Sequence, residues 1–194
     1  MSIELVLFDV GGVLGSNGWD RGERAAAVRE FELDRDRFEA RHAAVVDAWE
    51  AGRVTLDEYL TRVVFDVPRP FTREEFRAFM LAQSVPDEAM IAVARRVRDT
   101  GRYRLMTLNN ESAELQWHRA HRFGLIGLFD AFLTSCYLAV RKPHTEIYER
   151  ALGIAGEIGE HLDRDEPIGS VRGIVNRPQH VAGRLNVFDH QLEE

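Results

Sequence analysis

The sequence predicts an α/β protein, a parallel sheet with a four-helix segment inserted after its first strand. Three observations carry that expectation. An apolar run opens the chain and is cut by Gly11 and Gly12; the stretch that follows, to Phe79, repeats its apolar residues at helical spacing; and beyond Pro86 strand-like and helix-like segments alternate. At 194 residues the chain is long enough to bury a hydrophobic core.

Residues 3–10 hold β-formers with no polar alternation, the pattern of a strand covered on both faces. The inserted helices are marked by Ala26 and Phe31, by Phe38, His42, Val45 and Trp49, by Leu56, Tyr59, Leu60 and Val63, and by Phe76, Phe79 and Met80. Gly52 can stop the second of them. Thr55 with Glu58, and Thr72 with Glu75 after the break at Pro68 and Pro70, have the spacing of capping boxes that start the third and fourth. Then "DEAMIAVARRVRDTG" reads as an amphipathic helix, "RYRLMTL" as a strand ending at Asn109 and Asn110, and "ESAELQWHRAHRFG" as a helix. A strand near residues 131–135 and a helix in "HTEIYERALGIAG" complete the βαβ series, whose crossovers are expected to be right-handed. Residues 157–194 show scattered apolar positions and no sustained period. The expected organisation is therefore a core of residues 1–15 and 84–156, an insertion of residues 16–83, and a divergent C-terminal segment from 157 to 194.

With 45% hydrophobic and 29% charged residues, the composition is that of an ordinary globular protein. A formal net charge of -7 opposes general affinity for nucleic-acid phosphates or anionic lipid, so neither nucleic acid nor membrane is an expected partner. No apolar run approaches the roughly 20 residues of a membrane span. Glu4 stands where a secretory signal would be basic, and the single cysteine, Cys136, cannot form an internal disulfide, so a cytoplasmic location is expected.

Ligands of open parallel sheets bind outside the carboxyl ends of the strands. Asp9 falls at one such end, Asn109 and Asn110 at another, and Lys142 follows an apolar stretch just before Pro143. An aspartate there can cap a turn, bind a cation or attack an electrophile. The glycines after it let backbone N–H groups face an anion, a combination that favours phosphate. Lys142 can pair with both Asp9 and a phosphate; a turn-capping Asp9 and an ordinary surface lysine are the plainer alternatives.

Taken in order, "VLFDVGGVL", "LMTLNN" and "VRKPHTEIY" resemble the haloacid dehalogenase-like (HAD) hydrolase superfamily, over about residues 2–156. With "NGWD" and "TLNNES", the likeness is to its phosphatase branch with a small helical cap. The resemblance implies a Rossmann-like core, Mg²⁺ as cofactor and a small phosphorylated metabolite as substrate. By position it implies Asp9 as the nucleophile that forms an aspartyl-phosphate and Lys142 as its partner. Backbone groups around Gly11 and Gly12 would lie near the phosphoryl oxygens. Asn109 would bind the phosphoryl group, with Asn110 and Thr107 as alternatives of register. Asp9, the Gly11 carbonyl and Asp165 would hold the metal, and the insertion would act as a cap that selects the substrate.

The chain departs from the family pattern twice. Gly11 stands where most phosphatases of the superfamily have a second aspartate that serves as acid and base, leaving Asp20 and Glu111 as substitutes. The acidic group Asp163, Asp165 and Glu166 has the spacing of the fourth motif but lacks the apolar strand before it. The alternatives to a phosphatase are an impaired or inactive domain of this superfamily and a 2-haloacid dehalogenase, which uses the same aspartate on carbon without Mg²⁺.

Overall fold

Three parallel strands make the centre of the molecule, the second and third buried and the first, at an edge, half-buried. In a computed structural model that describes residues 4–162, β1 (Leu5–Phe8), β2 (Arg104–Asn109) and β3 (Ala131–Thr134) form a parallel sheet in the order β1-β2-β3, with Phe8 beside Thr107 and Asn109 beside Thr134. The first strand is shorter than its apolar run. The chain turns after Phe8 because the amides of Val13 and Leu14 donate to the Val10 carbonyl and that of Gly12 donates to the Gly15 carbonyl. Gly12 adopts φ +72°, a left-handed conformation that residues with a side chain rarely take, so the turn calls for glycine.

Between β1 and β2 stand α1 (Arg21–Glu30), α2 (Arg35–Glu50), α3 (Leu56–Val63), α4 (Arg73–Ala82) and α5 (Glu88–Asp99). The rest of the described chain adds α6 (Ala113–Arg122), the short α7 (Ser135–Leu138) and α8 (Thr145–Leu162). Alternation along the strands decides which helix each face meets. Leu105 and Phe132 pack with Ile91 and Ala94 of α5 and Ala120 of α6. Met106, Leu108, Ala131 and Leu133 point the other way, onto Ile147, Ala151 and Ala155 of α8.

Helices α1 to α4 have an interior of their own, where Phe38, Trp49, Tyr59, Leu60, Phe76 and Met80 are buried together. Both capping boxes form: the hydroxyls of Thr55 and Thr72 accept from the amides of Glu58 and Glu75. Gly52 does more than end α2. At φ +71° a Cβ would lie 2.2 Å from the carbonyl oxygen of Cys136, so glycine lets the end of α2 press against α7. The Ser135 hydroxyl donates to the Glu50 carbonyl at 2.6 Å, and the Glu114 carboxylate accepts the Leu56 amide at 3.0 Å, fastening this bundle to the sheet side.

The last described helix is longer than its sequence pattern. It runs through Gly153 and Gly156 to Leu162, because glycine weakens a helix by roughly 1 kcal/mol without ending it when the helix is anchored by buried side chains. Asp163, Asp165 and Glu166 lie outside the described residues. Among the described residues no helix is long and apolar enough to cross a membrane.

Candidate active site

A cleft of about 410 Å³ opens at the carboxyl edge of the sheet, beneath α1 and α2. Asp9 enters it from the turn after β1, Asn110 from the end of β2 and Lys142 from the segment between α7 and α8. Parallel strands bring these three together, since all their carboxyl ends share one edge. The Lys142 ammonium donates to Asp9 Oδ2 at 2.7 Å and to the Leu108 carbonyl at 3.0 Å. The Asn110 amide holds the lysine backbone on both sides, accepting the Lys142 N–H at 2.8 Å and donating to its carbonyl at 2.9 Å. The Asp9 side chain remains 40% exposed, and its Oδ1 accepts the Val10 amide at 2.9 Å. Held between an ammonium and a backbone donor, the Asp9 side chain is fixed in orientation within the cleft.

The surrounding wall is charged but paired. Arg24 binds Glu39 at 3.0 Å, Arg141 binds Glu50 at 2.7 Å, and Arg119 binds Glu111 at 2.5 Å. Arg119 is 2% exposed and also donates to the Ser16 carbonyl, so it pins the turn after β1 to α6. Its Nη1 lies 3.7 Å from where a Cβ on Gly11 would sit. A guanidinium thus occupies the neighbourhood that a side chain at position 11 would reach. Burial pushes the Glu111 carboxyl up to about 7 against the pull of Arg119, and burial raises Glu50 in the same direction.

On the α2 side, His42 is buried and pairs with Tyr59, 2.8 Å from Nδ1 to the hydroxyl; Trp19 Nε1 donates to the same hydroxyl at 2.8 Å. Burial, aided by the Arg24 charge, brings His42 down to about 4. An unfolded histidine takes its proton near 6.5 and the folded one only near 4, so this group's stabilisation is complete above pH 6.5 and is lost as pH falls towards 4. Urea unfolding at pH 7.5 and 4.5 is expected to show the wild type losing roughly 2 to 3 kcal/mol more than His42→Gln. Taking the difference between the two proteins cancels Glu111, whose raised acid group acts with the opposite sign over the same range.

The profile of the haloacid dehalogenase-like hydrolases matches residues 3–161. The chain belongs to this hydrolase family. No curated protein matches it significantly. Among solved structures, a HAD family enzyme of Bacteroides thetaiotaomicron is 18% identical over 80% of each chain, with a TM-score of 0.68. Its complex with magnesium and inorganic phosphate gives 19% identity, 80% of each chain and 0.66. An L-2-haloacid dehalogenase of Xanthobacter autotrophicus, with chloropropionic acid covalently bound, is 16% identical over 80% of this chain and 66% of that one, with a TM-score of 0.53. At such identities these likenesses show the HAD fold and leave the reaction open.

In this HAD-like hydrolase, Asp9, Gly11, Asn110 and Lys142 line the cleft, as do Asp20 and Glu111. Two residues expected at the anion site are engaged elsewhere. Gly12 has its N–H taken by Gly15, so its part is the turn. Asn109 is 2% exposed; its Nδ2 donates to the Gln116 Oε1 at 3.0 Å, because in-strand alternation turns it inward while the next residue, past the strand, faces the cleft. Thr107 is fully buried in β2. Asp165 lies outside the described residues, and among those described no three His, Cys, Asp or Glu cluster as a metal site. Sequence reasoning did not single out His42, Arg119, Arg24 or Glu50 as cleft residues. His42 and Trp49 share the period of a packing face, and nothing local marks Arg119, whose partners Ser16 and Glu111 come from other elements.

Proposed function

We propose that the chain is a Mg²⁺-dependent phosphatase acting on a small phosphorylated metabolite through an aspartyl-phosphate on Asp9. The observation that carries this reading is the Asp9–Lys142 pair at 2.7 Å, at the open carboxyl edge of the sheet beside Gly11. A carboxylate oxygen of Asp9 attacks phosphorus, the bond from phosphorus to the leaving oxygen breaks, and the alkoxide so formed takes a proton from water or from a protonated Glu111. Water then attacks the acyl-phosphate at phosphorus, and release of inorganic phosphate restores the carboxylate. Lys142 steadies the charge that gathers on the phosphoryl oxygens, its backbone held by Asn110.

The oxygen donors beside the cleft suit Mg²⁺, which favours hard oxygen ligands, commonly one or two carboxylates together with waters and substrate phosphate. Asp9 and the Gly11 carbonyl would hold it, and it would supply neutralisation of the phosphate charge. The bound magnesium and phosphate of the Bacteroides enzyme support this reading.

Hydrolysis of p-nitrophenyl phosphate in excess Mg²⁺, and its loss in EDTA, tests it. A rate unchanged by EDTA, or chloride release from chloroacetate in EDTA without phosphatase activity, would overturn it and favour the dehalogenase alternative. A folded chain with neither activity, whose melting temperature Mg²⁺ leaves unmoved, is the binding-only domain.

A further inference from the structure

The α2 side of the cleft contains a hydrogen-bond chain whose proton positions can be deduced. Trp19 Nε1 can only donate, so in its 2.8 Å contact the Tyr59 oxygen accepts. The Tyr59 hydroxyl is fully buried, and burial raises its pKa, so it keeps its one proton. The neighbour that can take that proton is His42 Nδ1, at 2.8 Å. Were Nδ1 to donate instead, the Tyr59 proton would have no acceptor in a buried site. His42 Nδ1 is therefore the acceptor and Nε2 carries the hydrogen. Nε2 bonds no described residue, is not among the sealed polar atoms, and belongs to a ring that lines the cleft.

We propose that His42 is a specificity-determining residue, presenting a fixed Nε2–H donor to an uncharged oxygen, hydroxyl or carbonyl, on the leaving group of a phosphate ester. Tyr59 is its positioning residue. The substrate class rests on the phosphatase reading above. Three features on this wall fit an uncharged, oxygen-bearing group better than a cation. The histidine is held neutral at pH 7. The Arg24 guanidinium is already bound by Glu39 and the Glu50 carboxylate by Arg141. Trp49, buried and stacked on Tyr59 at 4.2 Å between ring centres, borders the cleft beside the donor with no charge to offer a cation.

The test compares two esters with one ring and one charge, inositol 1-phosphate and cyclohexyl phosphate, by titration calorimetry on the Asp9→Asn protein. Adding His42→Phe, which keeps a ring and removes the donor, is expected to shift the ratio of the two Kd values about 10-fold towards cyclohexyl phosphate. His42→Gln, which can keep an N–H at similar reach, should shift it by less than about 3-fold. An unchanged ratio in His42→Phe, equal shifts in the two variants, or failure of inositol 1-phosphate to bind overturns the proposal. Should the phenylalanine variant not fold, the glutamine variant and the imidazole ¹⁵N spectrum of the unaltered chain still decide: an Nδ1–H tautomer at pH 7 overturns it. Turnover of p-nitrophenyl phosphate by the unaltered chain is read separately. Binding that depends on His42 without turnover means the phosphatase reading alone has failed; turnover without that dependence means this inference alone has failed.

Discussion

Asp9→Asn is expected to lower phosphatase turnover by about 10³-fold or more, equivalent to roughly 4 kcal/mol of transition-state stabilisation, while leaving the chain folded. The amide has the shape of the carboxylate but is a far poorer nucleophile, so the acyl-phosphate cannot form. Stability should change by less than about 1 kcal/mol, because the Asp9 side chain is 40% exposed and an ion pair so open contributes little. Lys142 keeps its bond to the Leu108 carbonyl in the variant. Rapid quenching with ³²P-labelled substrate should trap label on the wild type and none on Asp9→Asn. Turnover that survives the substitution would falsify the nucleophile assignment.

Arg119→Met is expected to lower stability by about 3 to 5 kcal/mol at pH 8, measured by urea unfolding, because it leaves the buried Glu111 carboxylate without its cation and removes the tie to the Ser16 carbonyl. The loss should be smaller at pH 5.5. Glu111 already sits near 7, and without Arg119 its acid form is favoured further, so at low pH the group is neutral and needs no partner. Adding Glu111→Gln should recover part of the loss at pH 8 for the same reason. A single variant within about 1 kcal/mol of the wild type would show that the pair and its tie to the turn are dispensable.

The parallel strands, the capped helices and the residues at the strand ends were legible because each signal is local. An apolar run that stops at Asp9, threonines three residues before glutamates, and Asn110 just past β2 are patterns within a few positions of one another. Gly52 was legible as a stop, but its closest neighbour, the Cys136 carbonyl, was not. The choice between Asn109 and Asn110 was open in the sequence because one residue of register in a strand reverses the direction of a side chain; the structure turns Asn109 inward and Asn110 to the cleft. The continuation of α8 beyond Gly156 was missed because a helix that rests on Ile147, Ala151 and Ala155 can absorb a glycine, and that support comes from the sheet.

The sequence by itself put Asp9 at the carboxyl end of a strand, since residue type and strand periodicity place it there without knowledge of the packing, and the likeness of "VRKPHTEIY" to the family pattern implied Lys142 as its partner. The tertiary structure alone decided what faces them. Arg119 meets the Ser16 carbonyl across 103 positions of chain, and His42 receives its hydrogen bond from Tyr59 on another helix. Contacts of this kind leave no period in the sequence. They arise only when separate elements, each with its own local reason to form, are pressed together by the burial of their apolar faces.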